Sequence, residues 1–199
     1  MNFLIRCSRG IDRVTAWIGK GVAWLILVAV LVSAANAIIR KAFDLSSNAW
    51  LELQWYLFGA VFMLAAAWTL QKNEHVRIDV VSAHLSRRTR LWVDLACHIL
   101  FLMPFVVLMT RLSWPFFLRS ITTGEYSMNA GGLILWPAKA LVLAGFVVLV
   151  FQGISEIIKT IAMLKGDLPM PAESEEEQLP PELREHAQMM EETGGADRA

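Results

Sequence analysis

Residues 22–40 read VAWLILVAVLVSAANAIIR. No charge interrupts the run until Arg40 closes it, and its length is what a membrane asks for. A helix rises ~1.5 Å per residue and the hydrocarbon core is ~30 Å thick, so about 20 apolar residues cross it. Three more such runs follow, at about 50–70, 92–112 and 136–158. Four spans on short connections predict an all-α integral membrane protein, a four-helix bundle, with no room in 199 residues for a separate soluble domain.

Composition agrees. Hydrophobic residues make up 56% and charged residues 18% of the chain, outside the range of ordinary soluble domains. The net charge of zero conceals a split. Residues 1–165 carry 16 Lys/Arg against 8 Asp/Glu, while residues 166–199 carry 2 against 10. The basic excess flanks helices instead of forming one stripe, which points to topology and headgroup contact and not to nucleic acid.

The chain divides into a basic amphipathic arm (1–20), a four-span membrane domain (21–165) and an acidic tail (166–199). In the arm, Phe3, Leu4, Ile11, Val14, Trp17 and Ile18 recur at roughly helical spacing between Arg6, Arg9 and Arg13. An interfacial helix and a disordered positive flank both fit that pattern. Pro169, Pro171, Pro180, Pro181 and the run Glu175-Glu176-Glu177 mark the tail as solvated and disordered. Ala35-Asn36-Ala37 mimics a leader-cleavage site, but Arg40 and Lys41 follow at once and the run is long for a leader, so the first span is expected to be retained.

Orientation follows from Lys/Arg placement. The arm, the 71–90 connection and the Lys159/Lys165 end are the richer side, while the other side has Arg40, Lys41, Arg111 and Arg119. Both termini are therefore expected in the cytoplasm, with the 41–49 and 113–135 loops outside. Trp50, Trp55, Trp114 and Trp136 sit at expected outer ends, as an aromatic belt would. Cys7 and Cys97 are too far apart in context to suggest a disulfide. Cys97, inside the third span, is expected to act as a small packing residue.

Ionisable groups in a span are costly, so each is a candidate for function. Asn36 and Arg40 are four apart at the outer end of span one, and Glu52 and Gln54 open span two. An Arg40–Glu52 pair would pin the outer ends of these spans, and independent snorkelling is the alternative. Asp94 and His98, four apart near the inner end of span three, suit a helix-ordering hydrogen bond or a proton relay. Lys139 is expected to snorkel to the outer headgroups. His75, Arg77 and Asp79 form the segment His75-Val-Arg-Ile-Asp79, which follows span two directly; His75 and Asp79 share a face if it is helical.

Several chemistries are excluded. Bis-histidine haem ligation needs axial ligands within the spans, and only His98 lies clearly inside one. There is no phosphate-binding loop, nucleophile elbow, zinc-protease motif or intramembrane carboxylate pair, so neither an enzyme nor a cofactor or metal site is expected.

The stretch from Asn36 to Asp79 resembles the DctQ-like small membrane subunit of TRAP (tripartite ATP-independent periplasmic) transporters. The resemblance is carried by Asn36 and Arg40, the run Glu52-Leu-Gln54-Trp-Tyr56-Leu-Phe-Gly59, and the His75-Val-Arg-Ile-Asp79 box. Gly124-Glu125-Tyr-Ser127, Asn129, Gly131-Gly132 and Trp136-Pro137-Ala-Lys139 look like a subgroup of that family. The likeness covers roughly residues 15–160. It implies a non-enzymatic scaffold in the bacterial inner membrane. Its implied partners are a large DctM-like membrane subunit that couples an organic acid or related solute to sodium, and a DctP-like periplasmic solute-binding protein. Sodium coupling would belong to the large subunit. A self-contained four-helix carrier or channel, working as a homo-oligomer, is the competing reading. A carrier wants a polar site near the midplane, whereas Val28–Leu31, Val61–Leu64 and Gly145–Val148 are apolar and no deep charge cluster is evident.

Overall fold

The structure, a computed structural model, describes residues 2–43, 47–72 and 86–169. Helices α1 (Asn2–Phe43), α2 (Asn48–Lys72), α3 (Arg87–Cys97), α4 (Met103–Thr123) and α5 (Trp136–Leu164) account for most of them, and a π turn (His98–Leu102) joins α3 to α4. Four helical stretches are long and apolar enough to cross a membrane: Phe3–Phe43, Asn48–Lys72, Arg87–Thr123 and Trp136–Leu164. The protein is therefore an all-helical, multi-pass membrane protein. These helices lie in one compact unit, Met1–Asp167; a second unit, Leu168–Ala199, falls almost wholly outside the described residues, and with it the expected disordered tail.

Two boundaries differ from the sequence expectation. The arm does not break from the first span. It continues into it as one 42-residue helix, about 63 Å long, with no proline to interrupt residues 2–43. Span three does not end near 112 either. Its helix runs to Thr123 with Pro115 inside, and the connection is residues 124–135. Arg111 thus sits within a helix, not beside a loop. Proline inside a membrane helix leaves one carbonyl without its usual donor, which neighbouring groups readily accommodate. The π turn has a similar origin. Pro104 has no N–H and its ring would crowd an α-register carbonyl; the widened turn just before it, closed by Met103 N–H on the His98 carbonyl, relieves that conflict.

Helix α5 is the hub and packs on every other helix. Helices α1 and α2 pack on each other and on α5, whereas α3 and α4 lean on α5. Small and polar side chains fill the interior: Ala29, Ala60, Ala67, Ala162, Ser8, Ser113, Ser120 and Ser155 are buried. Large apolar ones such as Trp24, Leu31, Phe62 and Phe101 face outward. Lipid offers no hydrophobic drive to bury them, so close backbone approach decides packing. Gly145 shows it best, since a Cβ there would stand 2.8 Å from the Met63 backbone oxygen. Gly19 likewise lies under the Trp68 indole. Between α4 and α5, Phe105 and Phe146 meet edge to face at 6.2 Å. Cys97, expected inside, is exposed, as is Cys7; neither packs within the chain.

Candidate functional site

Polar side chains converge at two places, one at each end of the bundle. The first is built on the start of α2. Asn48, Glu52 and Tyr56 recur every four residues and so share one face, against which the 124–135 connection is folded. That connection begins where Gly124 adopts a left-handed conformation (φ 59°) and caps α4. It then doubles back through the antiparallel bridge Tyr126–Ile134, with Ser127 N–H donating to the Leu133 carbonyl at 2.9 Å and Leu135 N–H to that of Glu125 at 2.9 Å. Asn48 Nδ2 donates to the Ala130 carbonyl at 2.9 Å, and the Tyr56 hydroxyl to that of Ile134 at 3.0 Å.

Glu52 is the centre of this clamp. Its carboxylate accepts from Ser127 Oγ, from Asn129 Nδ2 at 2.8 Å and from the Leu133 backbone N–H at 2.6 Å. Gly132 makes room, because a Cβ there would fall 2.8 Å from Glu52 Oε1. The expected Arg40–Glu52 pair does not form. The connection brings three donors to Glu52, including one main-chain N–H with no other claim on it, whereas Arg40 is exposed at the end of α1. Asn36 and Gln54 are half-buried without a side-chain hydrogen bond to another described residue. Lys139 does not snorkel freely. It is paired with Glu125 and lies 4.1 Å above the centre of the Phe116 ring. The hydrogen bond from the Lys139 ammonium holds the Glu125 carboxyl below the ordinary glutamate range.

The second cluster was missed by the sequence reading. Asp12 of the arm faces α5. Its Oδ1 accepts from Gln152 Nε2 at 2.9 Å and from Ser155 Oγ at 2.8 Å, and its Oδ2 lies 3.2 Å from Lys159 Nζ. Lys159 also donates to Glu156 Oε1 at 2.6 Å, and Gln152 Nε2 reaches the same oxygen at 2.9 Å. One turn earlier, Ser8 Oγ and Ser155 Oγ are 2.7 Å apart. Gln71, near the end of α2, donates to the Asp12 carbonyl at 2.9 Å and ties the third helix in. Gln152, Ser155 and Ser8 are essentially fully buried. The detectable signal was the spacing Ile5, Ser8, Asp12, Thr15, Gly19, Val22, a three-four repeat of small and polar residues on one face; the arginines between drew attention outward instead.

Asp94 and His98 do not hydrogen-bond to each other. His98 Nδ1 is buried without a hydrogen-bond partner among the described residues, at the start of the π turn. His75, Arg77 and Asp79 lie outside the described residues. Among the described residues no group of three or more His, Cys, Asp or Glu side chains is placed to hold a metal.

The profile of the DctQ component of the tripartite ATP-independent periplasmic transporters matches residues 29–163. The chain belongs to the DctQ family. The match takes in the second part of α1, the three later spans and the clamp around Glu52, and it begins after Asp12. Comparison with curated proteins gives no match, and comparison with solved structures gives none. As a DctQ component the chain is the small membrane subunit of a TRAP transporter.

Proposed function

We propose that this subunit is a non-enzymatic scaffold that holds a large DctM-like membrane subunit in place and does not itself carry solute. The observation that supports this most is where its polar chemistry lies. Glu52, Glu125 and Lys139 at one end, and Asp12, Gln152, Glu156 and Lys159 at the other, are engaged with partners from the same chain. Between them Val28–Leu31, Val61–Leu64 and Gly145–Val148 are apolar. A carrier needs polar groups near the midplane that are free to take solute. The folded connection 124–135 would then face the periplasm, where a DctP-like binding protein docks. The membrane is the bacterial inner membrane, both termini face the cytoplasm, and the transported solute is an organic acid or relative. Cofactors are absent from this scheme, and sodium coupling resides in the large subunit.

Reconstitution tests the reading. Proteoliposomes containing only this chain should show no uptake of any candidate organic acid under a sodium gradient. Uptake should return when the large subunit and the binding protein are supplied. Robust uptake by this chain alone would establish the homo-oligomeric carrier instead.

A further inference from the structure

The arm's outward face has a composition that its inward face explains. At ~100° per residue, Ile5, Ser8, Asp12, Thr15, Gly19 and Val22 occupy the sector against α5 and α2. The opposite sector, about 80° wide by the same spacing, holds Arg6, Arg9, Arg13, Trp17, Lys20 and Trp24. All six are exposed; Trp17 and Trp24 are 77% and 71% open. Asp12, the one acidic side chain of α1, is turned inward to Lys159, so no acidic side chain of α1 itself faces the four cations. Among the described residues none of the four has an ion-pair partner.

The level of this face is fixed by a hydrogen bond. Gln71 meets the Asp12 carbonyl in the last turn of α2, just before Lys72 ends that helix. The turns bearing Arg13, Trp17 and Lys20 therefore stand where the apolar part of the bundle gives way to charge. Beyond Lys20 the same helix runs into exposed Trp24, Leu27, Val28 and Leu31, which only hydrocarbon suits. Continuity of one helix thus sets Arg13 and Lys20, about 10 Å apart along the axis, at the depth of lipid phosphates, with the amphipathic indole of Trp17 between them.

We propose that this face is a binding site for anionic phospholipid. Arg13 and Lys20 hold the headgroup phosphate, Trp17 and Trp24 flank the glycerol and upper acyl chains, and Arg6 and Arg9 add attraction from the aqueous side. The lipid would act as a fastening on the outside of α1, opposite the polar cluster that fastens its inside.

The test is lipid binding by the purified full-length chain in detergent, read by native mass spectrometry with added phosphatidylglycerol or phosphatidylcholine. The wild type should prefer phosphatidylglycerol by tenfold or more. The double variant Arg13→Gln/Lys20→Gln should lose most of that preference, each charge being worth up to about fivefold. Folding of the variant is checked independently by a Ser8→Cys/Ser155→Cys cross-link, which the 2.7 Å hydroxyl separation makes accessible. Equal binding of the two lipids by the wild type overturns the proposal. So does an undiminished preference in the cross-linkable double variant. Binding of a peptide of residues 170–199 that the double variant abolishes, with the phosphatidylglycerol preference untouched, would assign the face to the acidic tail and also overturn it.

Discussion

Glu52 was legible in the sequence as a functional carboxylate, but its partners were not. They lie 75 to 81 residues away, on a connection whose register is set by the left-handed Gly124 and Gly131 and not by any hydrophobic period. Its consequence is testable. Glu52→Gln keeps the size but brings an amide N–H₂ into a nest of donors. We expect hydrogen exchange at the Ser127 and Leu133 amides to speed up by at least tenfold, with α5 amides unchanged. Glu125 makes a second prediction. Its carboxyl is held below its ordinary value by the Lys139 ammonium. A carboxylate with a lower pKa folded than unfolded stabilises above the unfolded value and loses that contribution as pH falls through the folded one. Wild type should therefore melt higher than Glu125→Gln at pH 7, and the gap should close as pH drops below the ordinary glutamate range of about 4.3. A gap that persists undiminished at pH 3 would rule the ion pair out as its source. At the other end, Asp12→Ala should cost about 0.6–2 kcal/mol in detergent unfolding, the range spanned by polar contacts between membrane helices. Asp12→Asn, which keeps the Ser155 and Gln152 contacts, should cost less.

At the scale of elements, the four spans were readable because length and apolarity are the membrane's own criteria. Ends were harder. Pro115 suggested a loop, but a helix in lipid has no better place for its backbone groups and so continued to Thr123. The arm failed for a related reason. Its arginines suit a surface helix, but its repeat of small residues suits close packing, and the second pattern won. Cys97 was expected to act as a packing residue and is exposed because α3 and α4 rest chiefly on α5 among the long helices, leaving most of their circumference open. Glycine placement gives the prediction at this scale. Gly145→Ala sets a methyl against a Met63 backbone oxygen that cannot rotate aside, so α2 and α5 must part; about 1–3 kcal/mol should be lost. Gly59→Ala, with nothing within 4 Å of the new carbon, should be neutral or slightly stabilising. Chemical unfolding of the two variants side by side checks the contrast.

For the whole molecule, the family could be recognised from motifs between Asn36 and Lys139, and the profile match over 29–163 agrees. Asp12 and Ser8 lie outside that window and their cluster needed coordinates, because one of its halves is in the arm and the other, inside the window, is on α5. That pairing has a consequence for how the protein is made. Ser8 and its partner Ser155 are 147 positions apart. At roughly 5–20 residues per second, a ribosome needs on the order of ten seconds to synthesise the intervening chain. Throughout that interval the arm has been translated but its counterpart has not, and Asp12 waits uncompensated beside the nascent first span. The bundle can close only once α5 has been made, so maturation of this subunit is timed by the appearance of that helix.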